Sequence, residues 1–170
     1  DGDIDWEGLE KTVPKATAEE IINHNAPQEQ IVRVEGIIDN ISDETFDLWI
    51  PCGDTYYKDA DWSYSIDLGD ISNGMAVEVC IETYYDGSLK YSDGILAIRK
   101  LGTEVVEDIL SVFKDSCPSM DYKAIMRNLD NAYGTICKAS GKVFQVIETE
   151  SYMQEFLLEL NDGNIVYVSY

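Results

Sequence analysis

The sequence predicts a mainly β protein with short helices: an OB-like five-stranded barrel followed by a second, partial OB-like module. Three features carry that expectation. Five short runs of alternating polarity lie between residues 31 and 101, a glycine sits in the middle of the first run, and a shorter echo of the pattern surrounds Gly141.

Residues 1–16 are acidic and lack apolar periodicity, so they read as a tail that either docks or dangles, with Trp6 and Leu9 its only anchors. A short helix opens the first module, 17–102. Thr17 offers an N-cap hydroxyl, Glu20 stands three residues on, where its carboxylate reaches back to the cap, and Ile21 and Ile22 give the helix a buried side before Asn25 and Pro27 end it. The strand runs follow: IVRVEGIIDNIS (31–42), TFDLWIP (45–51), SYSIDLG (63–69), MAVEVCIETYY (75–85) and LKYSDGILAIRKL (89–101), the last two joined at Asp86-Gly87. Gly36 marks where the first strand must bend to serve both sides of a small barrel. Residues 103–120 form a helical linker, with Val105, Val106, Ile109, Leu110 and Phe113 at helical spacing from Glu104 onward and a break at Cys117-Pro118.

The second module, 121–170, opens on a helix near Asp121 that turns Ile125, Met126 and Leu129 inward. Placing Gly141 on Gly36 aligns ICKASGKVFQVIE with VRVEGIIDNIS, so that Val143 and Val146 approximate Ile38 and Ile41. A second strand (Phe156–Leu160), an Asn161-Asp162-Gly163 turn and IVYVSY complete three strands. Three strands leave open edges, which a continuation of the chain, strands of the first module or a second copy pairing edge to edge as a homodimer would cover.

The 33 acidic and 12 basic residues give a formal charge of -21. Such a field repels polyanions unless cations are gathered in one patch. Arg99-Lys100 and the Lys138/Lys142 pair each have acids nearby, so nucleic acid and anionic membranes are disfavoured as partners. No apolar run reaches the roughly 18 residues of a spanning helix.

The four cysteines, Cys52, Cys80, Cys117 and Cys137, show no CxxC spacing and are joined by one histidine, which disfavours zinc. Three disulfide pairings or free buried thiols remain open. The phase of AVEVCIE places Cys80 with Glu78 and Glu82, away from Val77, Val79 and Ile81, so Cys80 is the cysteine least expected in the core.

The run YKAIMRNLDNAYGTICKASGKVFQVIE (122–148) resembles the opening of the tRNA-anti-like OB-fold family of secreted proteins and lipoproteins of Gram-positive bacteria, with its helix, an Arg-Asn-Pro-like turn, Tyr-Gly and a strand ending in Gly-Lys-Val. Leu129 stands where that family often has proline. The resemblance implies an extracellular or cell-envelope location, with a lipid anchor attached upstream of Asp1, and it supplies no catalytic motif.

The segment CGDTYYKDADWSY (52–64) reads as an acidic, aromatic loop. Tyr56, Tyr57, Trp62 and Tyr64 are the candidate ligand-binding residues, suited to stacking on a sugar or peptide; the plainer account has them cover one barrel end. Asp54, Asp59 and Asp61 are weak calcium candidates, since their spacing fits no loop template. Asp1, Asp3 and Asp5 begin like an EF-hand loop, but Trp6 and Thr12 replace its glycine and glutamate. His24 has no recognisable nucleophile beside it, and no motif asks for a cofactor. The leading functional expectation is therefore a non-catalytic envelope or secreted module that binds a protein, peptide or glycan. An intracellular OB-type binder of single-stranded nucleic acid is the alternative, and a carboxylate-based hydrolase a further one.

Overall fold

In the computed structural model, which describes residues 4–147 and 155–169, the acidic N-terminal stretch is not a loose tail. It forms helix α1 (Trp6–Thr12), capped by the Asp5 carboxylate, which accepts from Gly8 N–H at 3.0 Å. Seven residues are too few for an apolar stripe to show, which is why periodicity missed it. Asp1 and Asp3 lie outside the described residues, as do Glu148 and Tyr170. Helix α2 (Ala18–Ile22) carries the expected capping box: Thr17 Oγ1 accepts from Glu20 N–H (3.2 Å) and the Glu20 carboxylate accepts from Thr17 N–H (2.8 Å).

The chain divides into two compact units, Asp1–Ser116 and Cys117–Tyr170. In the first, strands β1 (Ile31–Asp39), β2 (Thr45–Cys52), β3 (Thr55–Ser63), β4 (Ala76–Glu82) and β5 (Ala97–Lys100) form one antiparallel sheet in the order β3-β2-β1-β4-β5. The sheet curls into an OB-like barrel whose two ends meet where Ile95 N–H donates to Ser63 O at 2.9 Å. β1 pairs with β4 up to Ile37 and with β2 from Ile37 onward. Gly36 sits at that change of partner, and a Cβ there would stand 2.9 Å from both Leu48 Cγ and Trp49 O. Only glycine lets β2 approach this closely.

Two strand expectations are corrected. Residues 63–69 are not the third strand; β3 is 55–63, inside the segment read as a loop. Cys52 pairs with Thr55, leaving Gly53-Asp54 as a two-residue hairpin turn with Gly53 at φ 58°. The fifth strand is short, because Tyr91–Asp93 is a 3-10 turn and only Ala97–Lys100 stay in the sheet. The core comprises Val32, Val34, Ile38, Phe46, Leu48, Ile50, Trp62, Val77, Val79, Ile81 and Ile98, with Ile21 of α2 beneath. Helix α3 (Thr103–Ser116), extending both ends of the expected 104–113 helix, belongs to this first unit.

The second unit contains α4 (Tyr122–Arg127), capped by Asp121, then α5 (Leu129–Ala132) and an antiparallel meander of β6 (Gly141–Ile147), β7 (Glu155–Leu160) and β8 (Ile165–Ser169). Gly163, at φ 83°, makes the β7–β8 turn where the Asn-Asp-Gly signal put it. Gly141 repeats the role of Gly36: a Cβ there would collide with Glu159 O on the neighbouring strand. Among the described residues of this unit only Cys117 and Leu160 are buried.

Candidate ligand-binding faces of the barrel

β2 alternates strictly. Phe46, Leu48 and Ile50 enter the core, so Asp47, Trp49 and Pro51 face outward. Register then lines up Ile37, Trp49 and Lys58 across β1, β2 and β3. Tyr56 stands beside this row with its ring centroid 6.3 Å from that of Trp49 and 44% exposed. Phe113 of α3 meets Trp49 edge-on at 5.2 Å and Tyr56 at 6.4 Å, closing one end of an aromatic patch. The shallow cavity on this face, about 350 Å³, is lined by Ile37, Asp39, Trp49, Tyr56, Lys58 and Gly74. Its charge is balanced locally: Asp47 accepts from Asn40 Nδ2 (2.7 Å) and lies 3.6 Å from Lys58 Nζ.

Of the four aromatic candidates, only Tyr56 lies on this face. Trp62 is fully buried and stacks on Phe46 at 6.1 Å. Tyr64 packs on the core cluster, 5.8 Å from Phe46, with its hydroxyl donating to Ser42 O. Tyr57 packs against the core and donates to Asp59 Oδ2 at 2.9 Å. A bulge explains the split. Leu48 pairs with Asp59 but Phe46 with Trp62, so one extra residue, near Asp61 at φ 64°, reverses which positions of β3 point inward. Trp49 and Phe113 were missed. A tryptophan on the polar phase of an otherwise alternating strand was the available signal for the first.

The calcium candidates separate. Asp54 forms the hairpin turn, Asp61 lies at the bulge, and Asp59 accepts a hydrogen bond from Tyr57. Among the described residues no group of three acidic, histidine or cysteine side chains is placed to hold a metal ion. Burial, and then the bond to Asp59, pushes the Tyr57 hydroxyl well above the ordinary tyrosine range; for Tyr91 the neighbouring Asp59 carboxylate is the main cause of a rise. His24 is exposed and has a positive φ of 53°.

The outer face of β4 corrects the expectation for Cys80. Glu78 and Cys80, both on the polar phase, are buried. Arg33 of β1 (2.7 Å) and Arg99 of β5 (2.5 Å) bracket the Glu78 carboxylate, Glu10 of α1 bonds Arg99 at 2.5 Å, and the Trp6 ring lies 4.6 Å from the Arg99 guanidinium carbon. The segment before α2 adds a rung: Arg33 N–H donates to Pro14 O (2.8 Å) and Ala16 N–H to Arg33 O (2.9 Å). Arg99 holds the Glu10 carboxyl below its usual range, while burial pushes the Cys80 thiol up. All four cysteines are unpaired, which settles the open choice in favour of free thiols.

Fold and face together define an OB-like barrel with an outward aromatic patch on β2 and β3. Among solved structures, the telomere capping protein Ten1 from Saccharomyces pombe is similar at 15% identity and a TM-score of 0.40, over 59% of this chain and 94% of that one. The S. pombe Stn1-Ten1 complex is similar at 13% identity and 0.39, over 59% and 93%. No family model and no curated protein matches. The expectation that nucleic acid is disfavoured as a partner is corrected here. The chains of similar fold include a telomere capping protein; the charge itself is concentrated in the first unit, where residues 1–116 hold 26 acids and 8 bases, or -18, against 7 and 4, or -3, in residues 117–170, and it has no part in the correction.

Proposed function

We propose that the first unit is a non-catalytic OB-type module that binds single-stranded nucleic acid, with bases stacking on Trp49 and Tyr56. The observation that carries this reading is the ring pair on the outer face of β2 and β3, with Tyr56 exposed and Trp49 half-buried, on the face OB barrels use for oligonucleotides. Stacking contributes about 1–3 kcal/mol per base. The cavity there is lined by one cation, Lys58, set against Asp47, so little of the affinity comes from phosphate contacts. Salt screens the repulsion from a -18 unit, so affinity should stay flat or rise from about 50 to 200 mM salt, the reverse of an ordinary basic groove. The test is tryptophan fluorescence of the protein titrated with oligodeoxythymidylate. Trp49→Ala and Tyr56→Ala should each weaken binding about tenfold or more. Binding that neither substitution affects, or that falls steeply with salt, overturns the reading.

A second reading, a secreted or envelope-attached module, is supported by the run 122–148. Its helix α4, the Asn128-capped turn, the Tyr133-Gly134 step at φ 78° and a strand opening on Gly141-Lys142-Val143 follow the order of the tRNA-anti-like pattern. Biotinylation of intact cells with a membrane-impermeant reagent tests it, and an unlabelled protein in intact cells beside a labelled one in lysate rules it out.

A further inference from the structure

We propose that the hollow beside α2, walled by Tyr57, Tyr84 and Tyr91 with Asp59 among its lining, is a binding site for an organic ammonium or guanidinium group. The cavity is about 380 Å³ and lies away from the Trp49 patch, with Leu89 and His24 completing its wall. Three kinds of observation support this assignment.

The carboxylate is fixed and has capacity left. Tyr57 donates to Asp59 Oδ2 at 2.9 Å, and Tyr91 lines the same hollow. An ionised carboxylate has about four acceptor positions, so one hydroxyl donor leaves room for a charged N–H. Asp59 itself is only partly exposed, which makes a charge-assisted bond there stronger than one in open water. Both tyrosines hold their protons more firmly than usual, so the hydroxyls remain donors and the single negative charge stays on Asp59.

The walls suit a cation. Three phenol rings line one small hollow, and ring faces attract ammonium and guanidinium groups. Tyr84 already does this for a neighbour: Lys90, which does not line the hollow, lays its ammonium 5.3 Å from the Tyr84 centroid while bonding Glu82 at 3.0 Å. The apolar floor, Leu89 with Ile21 of α2, accepts methyl or methylene groups next to the charge.

The surroundings are acidic. Asp61, Asp86 and Asp93 lie on the same β3 and β4–β5 segments, and Lys90 is already paired with Glu82. An incoming cation therefore meets an attractive field, consistent with the -18 charge of this unit.

The test is a two-dimensional NMR titration of the full chain, following tyrosine ring and Asp59-neighbourhood amide signals, with methylguanidinium and tetramethylammonium to about 10 mM, enough to register millimolar sites. A neutral isostere, tert-butanol, is the control, and a short arginine-containing peptide separates a protein side chain from a free amine as the source of the group. Saturable shifts confined to this hollow with the cations and not with tert-butanol are expected. Asp59→Asn keeps an acceptor for Tyr57 and should weaken the cations about tenfold; Tyr84→Leu, which keeps the apolar bulk, should weaken them several-fold. No shift with any cation, equal shifts with tert-butanol, or cation affinity unchanged in both variants each overturns the proposal.

Discussion

The two units begin alike and end differently. Gly36 and Gly141 each sit where the first strand of a meander passes so near its neighbour that no Cβ fits. In the first unit that approach is followed by five strands, and Val32, Val34, Ile38, Leu48 and Val79 are fully removed from solvent. In the second, register places Val143, Val146, Phe156, Leu158, Val166 and Val168 on one face of a three-stranded sheet, yet Val143 remains 50% and Val146 69% exposed. The same local rule thus yields a closed core only where enough strands follow. A glycine that permits close approach creates the opportunity for a barrel, and burial supplies the free energy that makes one stable.

The comparison sharpens under substitution. The largest effect is expected at Glu78. Replacing it with glutamine leaves Arg33 and Arg99 facing each other with their shared partner gone, in a network that is itself largely buried, and should cost about 3–5 kcal/mol of first-unit stability by denaturant unfolding. Next come the paired glycines. Gly36→Ala should cost about 1–3 kcal/mol, because Leu48 and the Trp49 carbonyl cannot both retreat from a packed core. Gly141→Ala should accelerate amide exchange in β6 and β7 while leaving protection of β1–β5 unchanged. Equal loss of protection in both units after either substitution would show that the two behave as one cooperative block.

Smaller effects follow from pH. Glu10, held by Arg99 below its ordinary range, contributes stability that is present above the normal carboxylate pKa and lost as pH falls through the lowered one. Trp6 fluorescence should therefore change in acid as α1 loosens, and Glu10→Gln should show the change already at neutral pH. Tyr57 acts in the opposite direction. Its proton is retained in the folded state above a pH of about 10, where an unfolded chain gives it up, so stability is intact below that pH and declines above it. Tyr57→Phe should flatten that alkaline decline.

Local chemistry was legible and non-local chemistry was not. The Thr17–Glu20 capping box, the Asn161-Asp162-Gly163 turn and the Gly36/Gly141 echo all depend on residues close in sequence, and each stands where the sequence put it. β3 was hidden because its two-residue Gly53-Asp54 turn lies among acids and aromatics, and its bulge at Asp61 breaks the alternation that marks a strand. The same bulge turned Trp62 inward and left Tyr56 outside, which no reading of composition distinguishes. Glu78 and Cys80 followed the solvent phase of their strand correctly; what buried them was a helix from residues 6–12 and arginines from two other strands. Trp49 was legible by phase, as a large ring on the polar side of an alternating strand.

The rung formed by Pro14, Ala16 and Arg33 has a practical bearing on how the barrel is handled. The sequence marks the first module from Thr17, and a protein trimmed to begin there would lose that rung together with α1. The first half of β1 would then present unsatisfied amide and carbonyl groups along its free flank, next to a carboxylate and two guanidinium groups newly open to water. Bare strand flanks of this kind recruit other chains. Such a shortened protein should precipitate or self-associate while retaining most of its strands, and residues 4–16 are best regarded as the selvedge of the sheet.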